Sequence, residues 1–180
     1  MTARGIVRAG TAREPSPGRS LEYLRGAAER CEELFVGITN PDPERIRPEA
    51  SDPLRHLPES NPFTYVERLL MVKAAAQDAE IDLARLHVIP FPVNEPELWR
   101  AYVPDDVVQF LRLFSDWGGT KLERLRDAGY EVVVLDEGAA KEISGADVRA
   151  ALREGADWES LVPPGVADVL KRLERRVRVL

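Results

Sequence analysis

Apolar residues fall into short runs separated by stretches of helical period. Gly5-Ile6-Val7-Arg8-Ala9 reads as a short strand. Leu34-Phe35-Val36-Gly37-Ile38 reads as a second, apolar throughout and therefore buried on both faces. Between them lies a Gly- and Pro-rich loop over residues 10–19. A helix follows from Ser20, with Leu21, Leu24, Ala28 and Cys31 on one face. Strand, loop, helix and strand form the unit that builds a parallel sheet.

Residues 40–62 make a long, polar, proline-rich loop. Loops of that length in a compact domain are more often functional than idle. Thr64-Tyr65-Val66-Glu67 has the pattern of a capping box. The helix it opens carries Leu69, Leu70, Val72, Ala75 and Ala76 before Asp78. Leu86 to Phe91 reads as a third strand, and residues 94–102 as a loop with a short helical turn. The run from Val107 to Phe114 fits either period. Its β-branched and aromatic content, with Gly118-Gly119 behind it, favours a strand. Thr120 to Ala128 reads as a charged helix ended at Gly129, and Tyr130 to Leu135 as the last strand. From Ser144 the pattern is helical, broken at Pro163-Pro164 and resumed to about Arg176. The expectation is one α/β domain over residues 1–180, a doubly wound parallel sheet with a helical C-terminus from about residue 144. No internal repeat or low-complexity segment is apparent.

Composition narrows the function classes. A chain of 180 residues can bury a real core. A net charge of −6 argues against a general nucleic-acid binder. The first 25 residues are locally basic, with Arg4, Arg8, Arg13, Arg19 and Arg25 against Glu14 and Glu22. That suits a small anionic ligand, and equally describes a solvated charged strand and loop. Cys31 is the only cysteine, so no intramolecular disulfide forms, and its surroundings suit a small core residue. His56 and His87 are the only histidines, too few for a Cys/His metal site. A magnesium ion carried by a nucleotide needs few protein ligands and stays compatible. No secretory signal or membrane-length apolar segment is read, which makes the cytoplasm the expected location, with no membrane partner.

The segment Ile143-Ser144-Gly145-Ala146-Asp147-Val148-Arg149 carries the strongest chemical signal. Ser144 precedes a helical run, whose first backbone N–H groups and positive dipole end suit a phosphate. Arg149, about one and a half turns on, can reach the same anion. The same spacing also describes an ordinary capped surface helix.

Several segments, in order, resemble the nucleotidyltransferase superfamily with the HxGH motif, above all its archaeal-type nicotinamide-mononucleotide adenylyltransferases. They are the first strand with Gly10; Gly37-Ile38; Asn61-Pro62-Phe63-Thr64 with Glu67-Arg68; Ile89-Pro90 followed by Leu98-Trp99; Asp127-Ala128-Gly129-Tyr130-Glu131-Val132; and Ile143 to Arg149 with Asp157-Trp158 and Leu161-Val162-Pro163. The resemblance implies a Rossmann-like fold with its nucleotide at the C-terminal edge of the sheet. It implies small-molecule substrates of the NMN, NAD and ATP kind. It matches Trp99 to the tryptophan on which relatives stack the nicotinamide ring, and places Asn94 near the carboxamide. Relatives often form homo-oligomers.

One departure stands out. Where the family has His-x-Gly-His, this chain has Ser16-Pro17-Gly18-Arg19. Gly18 is kept, so the backbone can approach a phosphate. Arg19 is a permanent cation matched to phosphate oxygens, and Ser16 donates one hydrogen bond. Ala146 stands where the family usually has threonine. The expected site therefore comprises Arg19, Ser16 and Arg149 as catalytic groups. Gly10, Gly18, Ser144, Gly145 and Arg149 would hold phosphates, and Trp99 and Asn94 the nicotinamide. His56 sits in the long loop, and His87 reads as structural. Three functions follow from the resemblance. A diverged nucleotidyltransferase would act on an NMN-like substrate with ATP or CTP. A hydrolase of the phosphodiesterase type would split the pyrophosphate of NAD or a modified dinucleotide to release AMP. A non-catalytic protein would bind NAD.

Overall fold

Five strands lie in one wholly parallel sheet: β1 (Arg4–Ala9), β2 (Glu33–Thr39), β3 (Leu86–Phe91), β4 (Val108–Leu113) and β5 (Val132–Glu137). Their order across the sheet is β3-β2-β1-β4-β5. Among the described residues six α-helices accompany them: α1 (Pro17–Ala28), α2 (Tyr65–Asp78), α3 (Trp99–Tyr102), α4 (Asp116–Asp127), α5 (Gly145–Glu154) and α6 (Pro164–Val177). This computed structural model describes residues 3–9, 17–42, 45–46, 57, 60–113, 116–137 and 145–177. The doubly wound, Rossmann-like α/β architecture expected from the sequence is the one observed.

Parallel strands need crossovers, and the crossovers cover both sheet faces. On one face Ala27, Ala28, Cys31 and Ala76 from the first two helical segments pack with Val7, Leu34 and Val36. On the other, Trp99 and Leu125 pack with Ile6, Phe91 and Leu111. Neighbouring Ile6 and Val7 thus serve opposite cores, as the two-residue strand period requires. Cys31 is a buried core residue, its Sγ donating to the Ala27 carbonyl at 3.3 Å, and burial pushes its thiol pKa up.

Several boundaries differ from the sequence expectation, most by one or two residues, and three of the shifts have a clear cause. α1 begins at Pro17 rather than Ser20, because proline is pre-set for the first helical position. α4 begins at Asp116 and absorbs Gly118 and Gly119, at about 1 kcal/mol each relative to alanine. β5 begins at Val132 rather than Tyr130. Gly129, at φ 84, turns the chain so that Tyr130 enters the second core instead of the sheet.

The capping box at Thr64 forms as its sequence predicts. The Thr64 hydroxyl accepts from the Glu67 amide at 3.3 Å, and the Glu67 carboxylate accepts from the Thr64 amide at 2.7 Å. The helix so started carries Arg68 inward, only 8% exposed. Its Nη1 and Nη2 donate to the carbonyls of Thr39 and Asn40, each at 2.7 Å. Arg68 therefore ties α2 to the C-terminal end of β2. The other end of α2 is also fixed. Arg25 donates to the carbonyls of Asp78 at 3.2 Å and Ala79 at 3.1 Å, and the Asp78 carboxylate accepts from the Gly165 amide at 2.8 Å in the first turn of α6. A third apolar cluster of Trp158, Ala167 and Leu170 seals the C-terminal helices against Phe63 and Met71. Among the described residues no helix is long and apolar enough to cross a membrane.

Two substitutions test this framework by urea denaturation. A Cβ on Gly5 would stand 2.3 Å from Phe110 Cε2 and 3.0 Å from Cys31 Sγ. Gly5→Ala is expected to lower stability by about 1–3 kcal/mol, the usual cost of overpacking. Arg68→Ala strips two buried carbonyls of their donor, and a loss of at least about 2 kcal/mol is expected.

Candidate functional site

The direction of chain progression reverses between β1 and β4. Open α/β sheets take their ligands outside the carboxyl ends of the strands at such a reversal. Here the ladder itself opens toward that edge. β1 pairs with β2 along its whole length, from Arg4↔Glu33 to Ala9↔Ile38. With β4 it pairs only at Gly5↔Val108 and Ile6↔Gln109. Beyond Ile6 the described residues of the two strands no longer pair, at the position where such folds have their crevice.

Two helix starts face this edge of the sheet. The chain leaves β1 at Ala9 and enters α1 at Pro17, so Gly18 and Arg19 stand in the first turn of α1 rather than in a loop. Amides of that turn have no intrahelical acceptor and are available to an anion. The chain leaves β5 and enters α5 at Gly145, with half-buried Arg149 one turn further on. Only β4 separates β1 from β5, a span of about 10 Å between the strands that deliver the two turns. Gly10, Ser16, Ser144 and His56 lie outside the described residues, as does the Arg19 side chain.

The other half of the edge is formed by the ends of β2 and β3. Asn40, immediately after β2, has a left-handed backbone at φ 49 and is 7% exposed. Among the described residues its Nδ2 has no hydrogen-bond partner, and neither has Arg68 Nε. Burial lowers the Arg68 pKa, with Tyr65 acting in the opposite sense. The Tyr65 hydroxyl in turn donates to the Val88 carbonyl on β3 at 3.3 Å. Asn94, in the turn after β3, is partly buried, and its Oδ1 has no hydrogen-bond partner.

Trp99 lies in the core of this structure. Its ring is 1% exposed, packed against Phe91 at 5.4 Å and Tyr130 at 6.3 Å between centroids. Its Nε1 donates to the Pro92 carbonyl at 2.8 Å. The indole fills the core under β3 and presents no open face on which a nicotinamide could stack. The apolar gain from burying so large a ring explains the placement.

His87 is structural, as its strand setting suggested. It lies four residues before the end of β3, about 13 Å from the C-terminal edge. Its ring stacks on Phe35 at 4.8 Å, and its Nε2 is 3.5 Å from Glu33. Glu33 also accepts from Arg4 at 2.9 Å, a bond that holds its carboxyl below the usual carboxylate range.

The roles of Arg68 and Asn40 were missed from sequence, though each left a trace. Arg68 is a charge set at helical spacing between Tyr65 and Val72, within the inward stripe of α2. Asn40-Pro41 is a turn-initiating pair closing an apolar run.

No protein-family model matches the chain. It is 46% identical over 160 residues to a phosphonoformate cytidylyltransferase of Streptomyces viridochromogenes, covering 88% of this chain and 87% of that one. It is 29% identical over 171 residues to a nicotinamide-nucleotide adenylyltransferase of Thermococcus kodakarensis, covering 93% and 84%. In three dimensions it is similar to a bifunctional NMN adenylyltransferase/ADP ribose pyrophosphatase from Francisella tularensis, with a TM-score of 0.62 at 14% identity. That match takes in 90% of this chain but only 45% of the larger one, and it speaks to the fold. With the parted strands, the two helix starts and these relatives in view, the chain belongs to the HxGH-type nucleotidyltransferase superfamily and is an enzyme of that type, with its own histidine pair replaced.

Proposed function

We propose that this enzyme transfers a cytidylyl group from CTP to a small phosphonate acid of the phosphonoformate kind. The observation that carries the reading is the buried Trp99 ring, which leaves a pyridine nucleotide without the stacking platform that the resemblance implied. The 46% identity to the Streptomyces enzyme supports the same choice of acceptor.

The chemistry suits this chain. A phosphonate oxygen attacks the α-phosphorus of CTP, a P–O–P bond forms, the bond to the β-phosphate oxygen breaks, and pyrophosphate leaves. CTP enters as its magnesium complex. The nucleophile is already an anion, so no residue has to remove a proton. Nucleotidyl transfer then rests on positioning and charge stabilisation, which arginines supply as well as histidines. In this reading the amides of Gly18 and Arg19, the Arg19 guanidinium, Ser16, Gly10, Ser144, Gly145 and Arg149 hold the triphosphate across the crevice between β1 and β4. A second reading is adenylyl transfer from ATP to NMN, favoured by the likeness to the Thermococcus enzyme over 93% of the chain.

Three incubations separate the possibilities: CTP with phosphonoformate, ATP with NMN, and NAD alone. Pyrophosphate and nucleotide products are followed by chromatography. Pyrophosphate with a cytidylylated phosphonate is expected from the first mixture. NAD from the second, with nothing from the first, would move the enzyme to the second reading. AMP from NAD alone would make it a hydrolase. Arg19→Ala and Arg149→Ala are each expected to lower kcat by ~10²–10³ while leaving the circular dichroism spectrum unchanged.

A further inference from the structure

We infer that Asn40 and Arg68 form an oxyanion pocket that holds the carboxylate end of the acceptor, setting which acids are used. The inference rests on the cytidylyl transfer proposed above, and names the specificity-determining groups of that same site.

Both side chains are more than nine-tenths buried, and both keep one donor unused: Nδ2 of Asn40 and Nε of Arg68. Buried donors are almost always paired in native proteins, and leaving one unpaired is costly. Arg68 is also a buried cation with no carboxylate within ion-pairing range among the described residues. Its other two nitrogens are taken by the neutral carbonyls of Thr39 and Asn40. A buried guanidinium without a carboxylate, bonded to the main chain of a residue whose own amide donor is unpaired, can take up a negative oxygen.

Rigidity supports the assignment. The left-handed backbone of Asn40 is pinned through its own carbonyl by Arg68 at 2.7 Å, and Arg68 is fixed by the capped first turn of α2. The backbone so held keeps both donors in place before an acid arrives. Both donors are covered in this structure, so an acid reaches them only as the side chains over them give way, and in that dry setting each bond to an oxyanion is stronger.

Position points to the acceptor rather than the nucleotide. The phosphate-holding turns open α1 and α5, after β1 and β5, whereas Asn40 follows β2 on the other side of β1. In-line displacement places the attacking oxygen opposite the leaving pyrophosphate. An acceptor entering from the β2 side meets the α-phosphorus with its phosphonate, so the carboxylate is the end that rests against the sheet.

The test compares two acceptors on the full chain: phosphonoformate, and methylphosphonate, which lacks the carboxylate. Asn40→Gly keeps the left-handed backbone and removes the amide; Asn40→Asp keeps the shape and replaces the donor by a negative charge. Both are expected to raise the phosphonoformate KM about 10–100-fold. The CTP KM and the already weaker use of methylphosphonate should stay as in the parent. Arg68→Lys, which keeps the charge but not the fork of donors, is expected to raise the phosphonoformate KM alone, by less. An unchanged phosphonoformate KM overturns the inference, and so does an equal loss with both acceptors or a parallel rise in the CTP KM. A parent that does not transfer cytidylyl groups at all removes the proposed reaction, and this inference with it. A parent that does, with variants that behave like it, removes this inference alone.

Discussion

A parallel sheet must bury both of its faces, and most of this molecule follows from that requirement. Every strand here runs the same way, so every connection crosses over on a helix and every strand delivers its chain to the same edge. The apolar faces are closed by aromatic rings that need bare backbone opposite them. Phe110 lies over Gly5, and Phe91 lies over Gly37, where a Cβ would stand 2.9 Å from the Phe91 Cβ. With the faces filled in this way, the C-terminal edge beside β1 and β4, where their pairing stops, is the position at which open α/β sheets take ligands.

The two edges of the sheet handle charge differently. At the N-terminal edge, Arg4 pairs with Glu33 and Asp106, and His87 lies 3.5 Å from Glu33. At the C-terminal edge, Asn40, Arg68 and Asn94 each retain a buried polar atom without a hydrogen-bond partner among the described residues. Such atoms also occur elsewhere, at His87 Nε2 and Arg85 Nε. What marks the C-terminal edge is therefore that Asn40, Arg68 and Asn94 follow or grip the ends of neighbouring strands, where open α/β sheets take their ligands.

Most of the architecture was legible in the sequence, because apolar runs and turn residues act locally. The strand from Leu86 to Phe91 and the Thr64 cap were read to the residue, since each depends on a few neighbours. Tyr130 was misassigned because its strand-like composition was overruled by a distant core, a tertiary effect invisible to periodicity. Trp99 shows the same limit at the site. Resemblance matched it to a stacking residue, but Phe91, Tyr130 and the Pro92 carbonyl claim it. Arg68 belongs to one of the family-like segments, and no local rule says that its guanidinium points to β2 rather than to solvent. The switch point was legible as soon as the order of strands and helices was, but the early end of the β1–β4 ladder is a property of the assembled sheet.

The position of α2 has a wider consequence. This one helix grips the end of β2 through Arg68, and carries the C-terminal helices through Asp78 and the cluster around Trp158. α6 packs chiefly on α2 and not on the sheet. The C-terminal helices and the end of β2 at Asn40 thus share a single mount, although Asn40 and Gly145 lie more than a hundred residues apart in sequence. A shift of α2 along its axis would strain its ties to Thr39 and to Gly165 at once, so the end of β2 and the start of α6 answer to one helix.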